Sequence, residues 1–412
     1  MNMPSEIKRK SVDTDWGIKT VCFLLFLVPV LLPFGRLYEL PVLLLSVFGL
    51  IHAIKGRHEL SSNHTVKLFS SVYALYFLLM FVASIDSYWP DKSWLVTWGS
   101  LRFYFAGLAV LLFCSESKYK IHSTLLMSIT VLMTFWSVDA LVQYLLGHDL
   151  FGIQSYPGRL SGVFGMNVKL GPVLALFLPF ALMYLKQKSP WLRWLVVAVL
   201  LLVIVLSGTR SAWLMAAFVM LAFWWTQVKG RRLVLMVKSM LFLMVATLLL
   251  WKVSPDFKQR LERSAAVFQG DSAGLDFALA DRLPIWQTAW EMIKAHPLNG
   301  VGPRAFRKAY PDYAASNDVW LAQNTQGLHA HHWLLEVMAE TGVFGLLLFS
   351  AMAFILIQIM IKHKSNQCLW APAVALVAAF LPVVSLYSIF SSFWSMCLWW
   401  VLVLFFVAVK DD

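Results

Sequence analysis

The chain has 412 residues, of which 59% are apolar and only 14% charged, and its mean hydropathy is +0.69. That composition excludes an ordinary soluble protein. The formal net charge of +12 is distributed between apolar runs, which argues for membrane orientation and against a nucleic-acid surface.

A spanning helix takes about 20 mostly apolar residues to cross a hydrocarbon core about 30 Å thick. In chain order, runs of this kind lie near 18–34, 38–54, 68–85, 95–114, 122–146, 171–185, 191–207, 211–228, 233–251, 343–361, 369–387 and 389–409. The sequence therefore reads as an all-α polytopic membrane protein with about twelve transmembrane helices. The second and sixth runs are short, and the last two nearly abut.

Lys8, Arg9, Lys10 and Lys19 precede the first run. Lys55, Arg57 and Lys67 follow the second, Lys118 and Lys120 the fourth, and Lys186, Lys188 and Arg193 the sixth. Lys229, Arg231 and Arg232 follow the eighth, Lys362 and Lys364 the tenth, and Lys410 the last. Every even-numbered exit is basic, which places both termini in the cytoplasm. The first run has no small-residue cleavage site, only Phe34-Gly35-Arg36-Leu37, so it reads as a span rather than a signal peptide. Cys22, Cys114, Cys368 and Cys397 fall in or beside spans and indicate neither a disulfide framework nor a cysteine metal site.

Two loops opposite the basic face break the pattern of short connections. The first, near 147–170, is rich in glycine and turn residues. The second, 252–330, is long enough for a small, mostly helical domain. Helical spacing is expected over 255–268, with Lys258, Arg260 and Arg263, and again over 281–295, ended by His296-Pro297. The expected organisation is thus 1–251 with nine spans, 252–330 as a loop domain, and 331–412 with three spans. The tenth helix should begin near His331, well before its apolar part at Val343, and carry Glu336 and Glu340 past a wet cavity or out of the bilayer. Gly342 and Gly345 would admit another helix close by.

Charges at the mouths of such helices are the candidates for chemistry. Arg210 opposes the positive-inside trend and meets an unfavourable helix dipole, both of which a bound anion relieves; snorkelling to lipid phosphates is the competing reading. Arg282 opens the second loop helix with a planar fork suited to a diphosphate, and Arg159 in the first loop has the same chemistry. The competing reading for each is a solvated loop arginine, or for Arg282 a partner of Asp281. His331 is the candidate general base, since imidazole accepts a proton near neutral pH; His329 and His332 flank it. The alternative is three interfacial histidines capping a helix. The pattern His-x-His-His without cysteine does not match a zinc site, so no metal ligand is assigned. Asp139 and Gln143, an i,i+4 pair in the fifth span, could orient a basic residue, bind a sugar or form a structural interhelix bond. No Asp-x-Asp pair lies on the loop face, since Asp13-Thr14-Asp15 is on the amino-terminal tail. Arginines rather than Mg²⁺ would then neutralise a diphosphate leaving group.

These residues resemble the O-antigen ligase and polymerase family of bacterial inner-membrane proteins, and most of all its ligases. The resemblance rests on His331-His332 followed, after nine residues, by Gly342-Val-Phe-Gly345. It also rests on Asp139-x-x-x-Gln143, Arg159-Leu-Ser-Gly162-Val-Phe, Ser207-Gly-Thr-Arg210, and Arg282 before Pro297-Leu-Asn-Gly300-Val-Gly302. His332 departs from the small polar residue usual in that family. The resemblance implies a C-type membrane glycosyltransferase fold and a metal-independent, inverting reaction without cofactor. It implies transfer of a glycan from undecaprenyl diphosphate to lipid A–core on the periplasmic face, with Arg210 and Arg282 on the diphosphate and His331 as base. The polymerase and the protein O-oligosaccharyltransferase of the same superfamily are the neighbouring readings. A transporter is a more distant one, disfavoured because no repeat relates the halves and the charges gather at one mouth.

Overall fold

In the computed structural model the described residues are 5–55, 63–114, 118–228, 255–269, 272–322, 329–382 and 387–409, with 230, 248, 251 and 252. They form α-helices, two 3₁₀ turns (Gly162–Phe164 and Ala266–Gln269) and no strand. The helices of the first half are α1 (Ser5–Leu31), α2 (Glu39–Lys55), α3 (His64–Ile85), α4 (Pro90–Cys114), α5 (Lys118–Leu146), α6 (Leu170–Leu185), α7 (Pro190–Leu206) and α8 (Arg210–Gln227). The large loop contributes α9 (Pro255–Ala265), α10 (Ser272–Leu279), α11 (Leu283–Ala295), α12 (Phe306–Tyr313) and α13 (Val319–Ala322). The last are α14 (Trp333–Lys362), α15 (Gln367–Ala379) and α16 (Ser392–Ala408).

The chain is an all-α, polytopic membrane protein. Among the described residues four helices are long and apolar enough to cross a bilayer: His64–Ile85, Pro90–Phe113, Ser123–Leu146 and Trp333–Lys362. Shorter apolar helices stand beside them, among them α6, α7, α15 and α16. The expected run at 233–251 lies, apart from 248 and 251, outside the described residues. Helix α6 is apolar on every side, and all its residues but Tyr184 are buried, as a helix without a polar face must be. It packs against α5, α7, α8 and α15 and forms the axis of the second half.

The last pair of expected spans needs correction. The run 369–387 is helical only to Ala379, and residues 380–382 and 387–391 are not helical. At about 1.5 Å per residue such a helix is too short for the hydrocarbon core. Non-helical backbone at that depth must find partners in the protein. It does at 387–391: Ile389 N donates to Glu336 Oε2 at 3.1 Å and Ser391 N to Ser388 O at 3.0 Å, while the Tyr387 hydroxyl donates to Val168 O at 2.9 Å.

The tenth expected helix also differs from its pattern. It begins at Trp333, not near His331. His331 has φ +52, outside the right-handed helical region, and His332 is extended as the N-cap. Glu336 and Glu340 line no wet cavity; they are 2% and 1% exposed. Glu340 instead accepts from Arg304 N at 2.7 Å and Phe306 N at 3.3 Å, donors at the start of α12 that lack helical partners.

What approaches Gly342 is a loop, not a helix. Gly342 has φ +63 inside α14, and a Cβ there would lie 2.5 Å from Asn299 N. Backbone groups freed by this break pair with residues 297–302: Val343 N with Pro297 O at 2.8 Å, Phe344 N with Leu298 O at 3.1 Å, Val301 N with Ala339 O at 2.8 Å, and Gly302 N with Glu340 O at 2.9 Å. Gly345 faces the Thr341 side chain of its own helix. The loop is held on its other side by α4, where the Ser93 hydroxyl donates to Pro303 O at 2.8 Å. A second, smaller core of Ile285, Ala289, Met292, Phe306 and Tyr310 closes over Ala339 and anchors the loop helices on α14.

Candidate active site

The 147–169 loop is shaped by two antiparallel bridges, His148–Gln154 and Tyr156–Arg159. Gln143 anchors it from α5: its amide nitrogen donates to Ile153 O at 3.0 Å and Gly162 O at 3.3 Å, and its carbonyl accepts from Gly162 N at 2.8 Å. Asp139 Oδ1 accepts from Leu150 N at 2.9 Å, while its Oδ2 is buried with no partner. Both side chains are fully buried and bond to this loop rather than to another helix. The loop then meets the α7–α8 turn through Leu160 N and Leu206 O at 3.3 Å.

Arg260 on α9 ties the large loop to both. Its guanidinium donates to Gly208 O at 3.2 Å and to Gly158 O at 2.8 Å. The sequence offered Arg260 only as a charge on a loop helix. Its signal was the spacing to Arg263 on one helical face, but nothing in the spacing names Gly158 or Gly208 as targets. Between these pieces lies a cavity of about 190 Å³, lined by Gln143, Arg159, Gly208, Phe257 and Arg260 among others.

Arg210, the first residue of α8, donates to Ser264 Oγ at 3.3 Å and to Ala278 O. Arg282 is fixed by the turn before α11. Ala280 and Asp281 both have positive φ, 63° and 58°, a conformation that costs about 1–2 kcal/mol per non-glycine residue. Arg263 holds that turn, donating to Phe277 O at 2.6 Å and pairing with Asp281 at 2.9 Å, and Asp276 Oδ1 accepts from Leu283 N at 3.0 Å. The backbone strain is thus matched by side-chain clamps on either side of Arg282.

The Arg282 side chain has no hydrogen bond or ion pair with any described residue. Burial pushes its pKa down to about 10, and the charges of Arg210, Arg159 and Arg263 add to that push. Four guanidiniums from three separate stretches therefore act on one another, and two of them, Arg159 and Arg282, have no side-chain partner among the described residues. An anion would relieve this repulsion at once.

The histidines border this cluster. His331 is held neutral, its pKa driven down to about 2 by burial and then by His329 and the nearby Arg282. The rings of His329 and His331 lie 3.8 Å apart between centroids, and His329 is buried. His332 points elsewhere. Its ring meets Trp286 edge-on at 5.9 Å and bonds the backbone of Pro382, and burial lowers its pKa. Trp286 Nε1 donates to Ala330 O at 3.0 Å, which holds the histidine segment against α11. Among the described residues no three His, Cys, Asp or Glu side chains gather as a metal site would require.

The structure thus brings Arg159, Arg210, Arg282, His329 and His331 together, sets His332 to one side, and places Asp139 and Gln143 behind the loop that carries Arg159. Comparison with known families bears on the same residues. Residues 195–350 match the O-antigen ligase family. That match agrees with the family resemblance drawn from the motifs. The matched stretch runs from α7 into α14 and contains Arg210, Arg260, Arg263, Arg282, the three histidines and the Gly342 break. Asp139, Gln143 and Arg159 lie before it. The O-antigen ligase family groups membrane glycosyltransferase-like enzymes, ligases and polymerases, that act on lipid-linked glycans. No curated protein matches the chain.

Proposed function

We propose that the protein transfers a glycan from undecaprenyl diphosphate to a sugar hydroxyl of lipid A–core, on the periplasmic face of the inner membrane. The observation that carries this is Arg282: a half-buried, partnerless guanidinium among three others, beside a neutral histidine. Arg282 and Arg210 hold the diphosphate and stabilise the charge that develops on it, with Arg159 closing the site from the other loop. His331 accepts the proton of the acceptor hydroxyl. The hydroxyl oxygen bonds to the anomeric carbon as the bond from that carbon to the phosphate oxygen breaks, and the electron pair leaves on undecaprenyl diphosphate. Attack opposite the leaving group inverts the anomeric centre.

A pKa of about 2 makes His331 a weak base in the free protein, because a general base works best near ambient pH. The diphosphate removes part of that weakness. Its negative charge beside Arg282 offsets one cause of the depression and raises the basicity of His331 when the donor is in place. His329 faces the His331 ring and orients it; His332 bonds the backbone of Pro382 instead. Asp139 and Gln143 position the Arg159 loop.

The test is reconstitution of the purified chain with undecaprenyl-diphosphate glycan and lipid A–core. Ligated lipopolysaccharide is expected, with and without EDTA. Polymer in place of ligated product would assign the polymerase reaction instead. Absence of both, with glycolipid flux across proteoliposomes, would remove the transferase reading.

A further inference from the structure

A second group of cations lies on another part of the same end of the bundle. Lys92 sits in the first turn of α4, Arg304 and Arg307 at the start of α12, and Arg36 in the turn between α1 and α2. The Ser93–Pro303 hydrogen bond at 2.8 Å brings the turn that carries Lys92 beside the one that carries Arg304. The charges of Arg304, Arg307 and Arg36 all reach Lys92. The pKa of Arg307 is lowered by burial and by Arg304. The side chains of Lys92, Arg304 and Arg307 make no hydrogen bond or ion pair with any described residue. The charge of Glu340 reaches Arg304 and Arg307, but its oxygens accept from the backbone N–H groups of Arg304 and Phe306 and from neither guanidinium. Asp312 is engaged by the Tyr88 hydroxyl, and Asp91 lies on the exposed side of its turn.

The placement of Arg304 is built rather than incidental. It has φ +63, and it follows the loop clamped between Ser93 and α14. The cluster also lies at a lipid boundary, because Phe34 and Leu37 beside Arg36 are 54% and 55% exposed. Along α14, Glu340 lies about 12 Å from His332 at 1.5 Å per residue. The two cationic groups are thus separate, one at the base and one farther along the same helix toward its apolar part.

We propose that Lys92, Arg304 and Arg307 form a second anion site that takes a phosphate group of the membrane-anchored acceptor glycolipid. The inference rests on the proposed ligation reaction. The donor diphosphate is already matched by Arg282 and its neighbours, so these cations serve another anion. A phosphorylated glycolipid embedded in the outer leaflet presents its phosphates at the lipid boundary and its sugars farther out. A phosphate held at Lys92 and Arg304 leaves the sugar hydroxyl free to reach His331. The cluster then selects a phosphorylated acceptor and sets its distance from the base.

Binding of lipid A–core, and of the same glycolipid after phosphatase treatment, is measured on the full chain in nanodiscs of uncharged lipid, without donor. Wild type should bind the phosphorylated form about tenfold more tightly, the difference expected when charge-assisted hydrogen bonds to a phosphate are lost. Arg304→Gln with Arg307→Gln, and separately Lys92→Gln on a different element, should remove that difference. Undecaprenyl diphosphate binding is read on the same samples and should stay at the wild-type value, which shows the variants folded. Equal binding of both acceptor forms by wild type, or variants that keep the preference, would overturn the site. Competition by phosphatidylglycerol at equal concentration would assign the cluster to bulk phospholipid and overturn the acceptor reading. A phosphate preference lost in the variants, alongside no ligated product from wild type, would leave the site standing and remove the reaction.

Discussion

Arg263 and Arg282 flank the same strained turn yet differ in what satisfies them. Arg263 has a carbonyl and a carboxylate; Arg282 has only like charge around it. Removal of the second should therefore affect chemistry more than folding. Arg282→Ala is expected to lower the rate of transfer by about 10²–10³, the typical loss for one preorganised charge-stabilising donor, at unchanged membrane abundance. Arg282→Lys should recover little, since a point charge lacks the planar fork; single-turnover transfer on purified variants checks both. His331 makes a prediction about pH. Its folded pKa is depressed from 6.5 to about 2, so the unfolded chain binds a proton that the folded one does not as pH falls below 6.5. The sign is destabilising toward acid, and stability attributable to this ring is complete only above its unfolded pKa. His331→Gln should reduce the loss of thermal stability between neutral pH and pH 5. In catalysis, the acid limb of kcat/KM reports the free enzyme and that of kcat the donor complex. The kcat limb should lie at higher pH, because bound diphosphate offsets Arg282; coincident limbs would mean that the anion does not act on the base.

The element that joins these residues to the membrane is the break in α14. Gly342 at φ +63 lets the 297–302 loop replace the missing helical hydrogen bonds, and Gly300, φ +67, makes the matching approach to Glu340 and Thr341. Gly342→Ala should cost at least about 1–2 kcal/mol from backbone strain alone, with more from the collision with Leu298 and Asn299. Thermal unfolding in detergent reads the stability, and transfer should fall as well, because the same loop leads to Arg304. An alanine variant with wild-type melting would show that the loop moves aside freely. The His/Gly spacing was legible because both ends carry rare residue types. Its meaning was not: a pair of glycines on an apolar helix looks the same whether a helix or a loop approaches. The start of α14 was misplaced for a related reason. Helical periodicity continues through His331 and His332, and only the left-handed φ of His331 shows that the histidines precede the helix. Likewise, the hydropathy of 369–387 cannot distinguish a full span from a helix that stops at Ala379 before non-helical residues, one of which, Ile389, donates to Glu336.

At the scale of the molecule, the connections sort onto two ends of the bundle. On one end, Gly208 and Gly158 meet Arg260, Val301 meets Tyr88, and Tyr387 meets Val168. On the other, Lys186 Nζ donates to Gln227 Oε1 at 2.9 Å, Asn366 Nδ2 to Ala408 O at 2.6 Å, and Trp370 Nε1 to Thr226 Oγ1 at 2.6 Å. That second end carries Lys186, Lys188, Arg193, Lys362 and Lys364, the topogenic charges legible from composition alone. The side assigned to each charge followed from simple alternation of spans, whereas the convergence of Arg159, Arg210, Arg260 and Arg282 depends on contacts across more than a hundred residues of chain, which no local pattern encodes. The positive-inside bias predicts that the basic end faces the cytoplasm and the arginine cluster the periplasm. A chain with Cys22, Cys114, Cys368 and Cys397 replaced by serine and alanine provides the test. Single cysteines at Gln154 and Glu291, both exposed on the site end, should react with a membrane-impermeant thiol reagent in intact cells with a permeabilised outer membrane. Cysteines at Gln187 and Lys364, exposed on the basic end, should react only after the inner membrane is opened. The reverse pattern would place the cluster in the cytoplasm, where it would face a donor before export, and a periplasmic ligation could not proceed there.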